Sequence, residues 1–293
     1  MSSDATRDHW AEWVLARGHS ADADQLRKKL EELAPVRDRV LANARIQPGD
    51  VVLDVGAGDG LIAFGALELV GSGRVIFSDI SQDLLDHDRG LARELDLAER
   101  AEFVRATAQD LSPIPDGSVD VVTTRSVLIY VEEKDRAFRE FHRVLRAGGR
   151  VSIFEPINNY FPEDPNDFWG FDASPVRDLV EKISAYEARD GSQADDPMMD
   201  FTERDLLRLA LDAGFGEVHV ELDVDVEPGS WVIDWDRLIA LAPNPNAHTA
   251  GEMIREALTS EEAQRFEAHL RPLVDSQKGM RRSAFAYLKA AKR

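Results

Sequence analysis

The ten residues VVLDVGAGDG, 51–60, run an apolar segment into a loop with glycine at every second position. Val51, Val52, Leu53 and Val55 carry the β-branched and apolar signature of a short strand. Gly56, Gly58 and Gly60 then mark a turn that needs bare backbone. In dinucleotide-binding folds such a turn, set between a first strand and a helix, cradles a phosphate. Here the spacing is G-x-G-x-G, and Leu61 stands where a dinucleotide loop has its third glycine. Asp54 and Asp59 flank the loop, and no Lys or Arg lies within it. Pyrophosphate favours bare N–H groups and the positive end of a helix. A ligand carrying positive charge gains from the two acids, so the loop reads as one that does not hold a phosphate.

Working outward, residues 74–78, 102–105, 119–124 and 150–154 are further short apolar runs. Their near-continuous hydrophobicity suits strands buried on both faces of a parallel sheet. Leu61, Phe64, Ala66 and Leu67 recur at helical spacing after the first strand. Ser81 is placed to N-cap a helix carrying Leu84, Leu85, Leu91 and Leu95. Ala137, Phe138, Phe141, Val144 and Leu145 mark another helix, closed by Gly148 and Gly149. Strand and helix alternate five times, which predicts an α/β fold with a doubly wound sheet. Asp79 ends the second strand 19 residues after Gly60, a spacing that fits a ribose-binding acid.

Three parts lie outside that alternation. Residues 1–46 read as helical, with Leu26, Leu30, Leu33, Val40 and Leu41 as an apolar stripe divided by Pro35. They are expected to form an N-terminal helical lid on a domain spanning 47–293. Insertions at about 156–200 and 225–282 interrupt that domain, the first read as a long loop with a short helix inside. A helix at 202–213, a strand at 217–224 and a last strand at 283–291 complete the pattern.

Composition narrows the function classes. The 293 residues include no cysteine, which excludes disulfides, thiolate metal sites and thiol nucleophiles. The formal net charge of −20 opposes nucleic acid and anionic membrane surfaces as partners, because both require a basic face. No apolar run reaches membrane-spanning length, and MSSDATRDHW lacks the order of a secretory signal. A cytoplasmic protein is expected.

Four segments then resemble one family, the class I S-adenosylmethionine-dependent methyltransferases of the methyltransferase-domain group. VLDVGAGDG is similar to its first motif and VIFSDIS to its second. RATAQDLSPIPDGSVDVV resembles its DAxxLPFxDxSFDxV segment, and RVLRAGGRVSIFEP its RVLKPGGxLxxxEP segment. Together they cover about residues 48–157 in family order. The resemblance implies a Rossmann-like, mostly parallel sheet of seven strands whose last hairpin is antiparallel. It implies S-adenosylmethionine as cofactor, with Gly56, Gly58 and Gly60 approaching the methionine part and Asp54 supporting the loop or the ammonium. Asp79 would take both ribose hydroxyls, and Ile80 would pack on adenine. Thr107 stands where the family often has Asp and offers a hydroxyl to the adenine amine, while Ala108 offers its backbone N–H. Arg125 would lie between cofactor and acceptor. Arg125, Tyr130 and Glu155, at or after the ends of the fourth and fifth strands, are the candidate catalytic residues.

The expected reaction is methyl transfer to oxygen or nitrogen of a small organic acceptor, without a metal. Arg125 occupies the place where a catechol-type magnesium site would need an acid. The alternatives are C-methylation of a quinone-like ring, a cofactor-binding module without catalysis, and a dehydrogenase. His142 reads as packing. His9, His19, Trp10 and Trp13 sit where family N-termini often cover the cofactor. Trp231 and Trp235, four apart, read as one helix face in the core.

Overall fold

Continuous apolar strands need cover on both faces, and the computed structural model shows how this chain supplies it. It describes residues 8–18, 23–189, 196–232 and 234–293, of which 16–18 and 23–32 are described by backbone alone. His19 and the side chains of Leu26 and Leu30 therefore lie outside the described residues. The chain divides into two compact units: one takes in the chain up to Pro156 with Phe201–Leu222 and Phe285–Arg293, the other Ile157–Asp200 and Asp223–Ala284.

In chain order the first elements are α1 (His9–Gly18), α2 (Ala23–Ala44), β1 (Val51–Val55), α3 (Leu61–Leu69), β2 (Arg74–Asp79) and α4 (Gln82–Glu94). Next come β3 (Ala101–Arg105), β4 (Val119–Arg125), α5 (Lys134–Val144) and β5 (Leu145–Pro156). Later α7 (Glu203–Asp212), β8 (Phe215–Pro228) and β9 (Met280–Lys292) follow. The sheet has seven strands in the order β3-β2-β1-β4-β5-β9-β8. β1 pairs in parallel with both β2 and β4, so Leu53 lies between Ile76 and Val122. β5 and β9 run antiparallel, with Ile153 opposite Leu288. Val52, Leu53, Val75, Val121, Val122 and Val151 are fully buried, as expected for central strands covered on both faces. The order reverses between β1 and β4, which opens a crevice at their carboxyl ends.

Local chemistry explains most boundaries. Ser81 caps α4, its Oγ accepting the Leu84 N–H at 3.1 Å. Thr202 and Asp205 form a reciprocal capping box at the start of α7. Two expectations are corrected. α2 is continuous through Pro35, which lies on the solvent side, where the carbonyl left unpaired by the missing N–H can be hydrated. Val40 and Ala44 are buried in the core, and Arg150 Nε donates to the Ala44 carbonyl at 2.9 Å, so tertiary anchoring outweighs the local penalty. Gly148 and Gly149 do not close α5. The Leu145 N–H caps that helix, Leu145 pairs with Val119, and both glycines lie in an irregular stretch of β5 before pairing resumes at Arg150.

The second unit holds a two-stranded hairpin and a 13-residue helix within 156–200, the stretch read as a long loop with a short helix, and further helices in the later insertion. Its elements are β6 (Asp167–Phe168), β7 (Phe171–Asp172), α6 (Arg177–Arg189), α8 (Trp235–Ile239), α9 (Ala250–Ala257) and α10 (Ser260–Asp275). Phe171, Leu179, Leu238, Phe266, Leu270 and Val274 form a fully buried core for it. Trp235 is buried at the start of α8, whereas Trp231 precedes that helix and is exposed. The pair is thus not one helix face: Asp234 N-caps α8 by accepting the Arg237 N–H, so the helix begins after Trp231. Among the described residues no helix is long and apolar enough to cross a membrane.

Gly73, in the turn between α3 and β2, tests the packing that sets this register. A Cβ there would sit 2.1 Å from the Asp50 carbonyl oxygen. Gly73→Ala is expected to cost about 1–3 kcal/mol, seen as a lower urea midpoint with an unchanged slope. An unchanged midpoint would show that the turn does not need this close approach.

Candidate functional site

A cavity of about 420 Å³ opens at the carboxyl ends of the parallel strands of the first unit. Its walls come from Gly56–Asp59 after β1, Asp79 and Ile80 at the end of β2, and Ala106–Gln109 after β3. The end of β4 and the turn after it add Arg125, Ser126, Val127, Ile129, Tyr130 and Val131, and α1 adds Trp10, Trp13 and Val14. This is the crevice where open α/β sheets bind ligands.

The glycine loop is tied down from within. The Gly56 and Ala57 N–H groups both donate to the Ser78 carbonyl, at 2.7 and 3.0 Å. Gly58 N–H donates to Asp79 Oδ2 at 2.9 Å, and Gly60 N–H to the Ala57 carbonyl at 2.9 Å. A phosphate would need those donors, and they are engaged inside the fold. Gly56 has φ +67°, and a Cβ on it would lie 2.4 Å from a Val127 methyl. Gly58 has φ +61°, but a Cβ on it would meet nothing nearer than 3.9 Å, so its face is open.

Asp79 holds the loop and the next helix at once. Its Oδ1 accepts the Ser81 N–H at 2.9 Å while Oδ2 holds Gly58. Burial pushes its carboxyl above the ordinary range, against the pull of these N–H donors. Asp54 lies behind the loop, outside the cavity lining: it accepts the Thr123 hydroxyl at 2.7 Å and the Ala63 N–H in the first turn of α3. Burial raises it to about 7. Gly60 is likewise behind the wall, forming the N-cap of α3 with φ +77°.

Arg125 faces the cavity, and its guanidinium makes no hydrogen bond or ion pair among the described residues. Tyr130 stands edge-on to Trp10 at 5.2 Å and to Trp13 at 6.0 Å between ring centroids. α1 is held there by Asp8, which accepts the Ser81 hydroxyl at 2.7 Å and donates its own N–H to Asp83. Glu155 does not reach the cavity. Fully buried, its carboxylate accepts the N–H groups of Val127, Leu128 and Ile129 at 3.0, 2.9 and 3.3 Å. Burial raises it to about 7. It therefore shapes the turn that presents Val127, Ile129 and Tyr130.

The structure thus gathers Gly56, Gly58, Asp79, Ile80, Thr107, Ala108, Arg125 and Tyr130 around one cavity, while Asp54, Gly60 and Glu155 support its walls. His9 is exposed and does not line it, and the His142 ring packs edge-on against Phe215 at 5.1 Å. Asp88 is the feature that sequence reasoning missed. Fully buried on α4, it has neither carboxylate oxygen hydrogen-bonded among the described residues. Burial, with repulsion from Asp59, Asp79 and Asp54, raises it to about 8. Its signal was an acid at helical spacing between the buried Leu84 and Ala92. Among the described residues no group of three or more His, Asp or Glu is arranged to hold a metal ion.

Comparison with known proteins agrees with this geometry. Residues 53–153 match the family model described as "Methyltransferase domain". The ubiquinone/menaquinone biosynthesis C-methyltransferase UbiE of Xanthomonas campestris pv. campestris is 39% identical over 116 residues, which cover 39% of this chain and 46% of that protein. UbiE of Hahella chejuensis is 36% identical over 134 residues, covering 45% and 53%. The chain thus spans about half the length of these curated relatives. The crystal structure of the YcgJ protein from Bacillus subtilis superposes with a TM-score of 0.55 at 19% identity, over 88% of this chain and 97% of that one, a likeness of fold.

The buried acids make stability depend on pH. A carboxyl raised to about 8 from 3.8, as Asp88 is, stays protonated in the fold where the unfolded chain has ionised. The folded state therefore holds more protons across that window, and stability falls as pH rises through it. Asp54 and Glu155, each raised to about 7, act in the same direction. Asp88→Asn is expected to stabilise the protein at pH 8 and to flatten the decline between pH 5 and 8, followed by urea unfolding. An unchanged pH profile would mean that Asp88 is not held protonated.

Proposed function

We propose that this chain is a class I S-adenosylmethionine-dependent methyltransferase, as its match to the methyltransferase-domain model over residues 53–153 supports, and that it transfers the methyl group of that cofactor to a small organic acceptor. The observation that carries the reading is the engagement of the loop N–H groups of residues 56–58 inside the fold, beside the buried Asp79. Such a wall suits a ligand with a ribose diol and positive charge better than one with a pyrophosphate.

The residues fit that cofactor in kind. Each Asp79 oxygen accepts one N–H and keeps a lone pair for a ribose hydroxyl. Ile80 offers an apolar face for adenine, with the Thr107 hydroxyl and the Ala108 N–H near its edge. The open face of Gly58 admits the methionine part, and Asp54 braces the loop from behind by holding α3. When bound, the cofactor supplies a methyl group already activated by the sulfonium charge. The chain's part is alignment and exclusion of water. Arg125 would hold an acceptor oxyanion or carboxylate, Tyr130 would hydrogen-bond the acceptor, and Trp10 and Trp13 would shield the reacting centre. Glu155 would act through the turn it holds.

For the acceptor atom, oxygen or nitrogen of a small organic molecule remains the primary reading. A second reading, carbon of a quinone-like ring, is favoured by the UbiE relatives, whose names state C-methylation. Arg125 would serve the carbon reading by stabilising a phenolate conjugated to the nucleophilic ring carbon, and the oxygen or nitrogen reading by holding an acceptor carboxylate.

Asp79→Ala should weaken S-adenosylmethionine binding by about 2–4 kcal/mol, read by calorimetry on the folded variant. Unchanged affinity would remove Asp79 from the site. Arg125→Met and Tyr130→Phe should keep cofactor affinity and lower turnover, measured as S-adenosylhomocysteine release over a panel of phenols, amines and hydroquinones. If both turn over like the parent protein, the acceptor is gripped by other residues.

A further inference from the structure

Asp88 breaks the pattern of its own helix. It stands in the buried stripe of α4 between Leu84 and Ala92, where an aliphatic side chain would pack without an unpaired charge. Neither carboxylate oxygen is hydrogen-bonded among the described residues. A buried polar group left without a partner is costly, and native interiors hold few. The neighbouring buried acids are treated differently. Asp54 accepts the Thr123 hydroxyl and the Ala63 N–H, and Asp79 accepts the N–H groups of Gly58 and Ser81. Such donors favour the ionised form, and Asp88 has none.

Asp88 does not line the cavity but lies directly behind its glycine loop. A Cβ on Gly60 would sit 3.2 Å from Asp88 Oδ1, so the carboxyl abuts the back of that loop. Everything acting on Asp88 favours its proton: burial first, then repulsion from Asp59, Asp79 and Asp54. Asp59 and Asp79 are cavity-lining residues, so charge on the cavity side of the loop reaches this carboxyl.

α4 packs against β2, β3, the turn before β3, and α1. Among the described residues, the other charged groups of these elements are turned elsewhere. Arg105 at the end of β3 donates to the Ile80 carbonyl, and Arg100 before β3 donates to the Leu67 and Gly71 carbonyls. Arg74 and Glu102 pair with one another, and Glu99, His9 and Glu12 are exposed. On α4 itself Arg89 is paired with Asp86, and Asp83 accepts the Asp8 N–H.

We propose that Asp88 is a charge gauge for the first cavity: given the cofactor reading, on which this rests, it releases its proton when S-adenosylmethionine binds and regains it when S-adenosylhomocysteine is left, so that the site favours cofactor over product. The cofactor carries a sulfonium, an ammonium and a carboxylate, which leave one net positive charge. The product has lost the sulfonium charge and is neutral overall. A positive charge across the loop stabilises the Asp88 carboxylate, so cofactor binding sends its proton to solvent. By linkage, raising the pH through the titration of Asp88 strengthens cofactor binding more than product binding. Asp88 acts through the field of its charge and touches neither ligand.

The test is calorimetry on the full chain at pH 7.5 with each ligand in turn, in phosphate and in Tris, whose different ionisation enthalpies reveal the protons released on binding. Subtracting the value for Asp88→Asn removes protons exchanged by the ligand itself. The difference is expected to be about half a proton for S-adenosylmethionine and near zero for S-adenosylhomocysteine. Between pH 6.5 and 8.5 the ratio of the two affinities should move about fivefold toward the cofactor in the parent protein, and less than about twofold in Asp88→Asn. Asp86→Asn, which removes an exposed acid from the same helix, should behave as the parent. Equal proton release with the two ligands, or a pH-dependent ratio that survives in Asp88→Asn, would overturn the proposal and leave the cofactor reading standing. Binding of neither ligand would overturn both.

Discussion

One carboxylate organises the first unit. Asp79 accepts the N–H of Gly58 with one oxygen and that of Ser81 with the other. It thereby joins the loop after β1 to the helix start after β2, two segments that share no local reason to meet. Ser81 passes the link on: its Oγ caps α4 by accepting from Leu84 and donates its own hydrogen to Asp8, which holds α1. The buried position of Asp79 would be costly without such donors. With them it is fixed in place, with lone pairs left for a ligand.

The same loop sets the sign of the site. Its N–H groups are engaged within the fold, and four acids, Asp54, Asp59, Asp79 and Asp88, surround it closely enough to act on one another. Burial raises Asp88, repulsion from the other three adds to it, and Arg125 draws the buried Asp54 the other way. Of these acids Asp59 and Asp79 line the cavity, so the wall beside a ligand is acidic: it favours a cation and opposes an anion. Charge distribution, more than glycine spacing, therefore separates this loop from a phosphate cradle.

Much of this was legible because its causes are local. The apolar runs at 51–55, 74–78 and 119–124 became buried parallel strands, since continuous hydrophobicity has few other uses at that length. Ser81 was readable as an N-cap from its place before an amphipathic run. What escaped depended on contacts distant in sequence. Glu155 reads as a candidate catalytic residue at a strand end, and only the fold shows it accepting three N–H groups from a turn 26 to 28 residues earlier. Pro35 looked like a helix break, and the anchoring of α2 through Arg150, 106 residues from Ala44, outweighs it. The glycines at 148 and 149 looked like a helix stop, because the pairing of Leu145 with Val119 cannot be seen in the local pattern.

The central claim is that the first cavity takes a cationic adenosyl ligand and not a dinucleotide. The most direct measurement is calorimetric titration of the same protein preparation with S-adenosylmethionine, S-adenosylhomocysteine and NADH in parallel. The account predicts saturable binding of the first two and no saturable binding of NADH at equal concentration. Saturable NADH binding with neither of the others bound would contradict it.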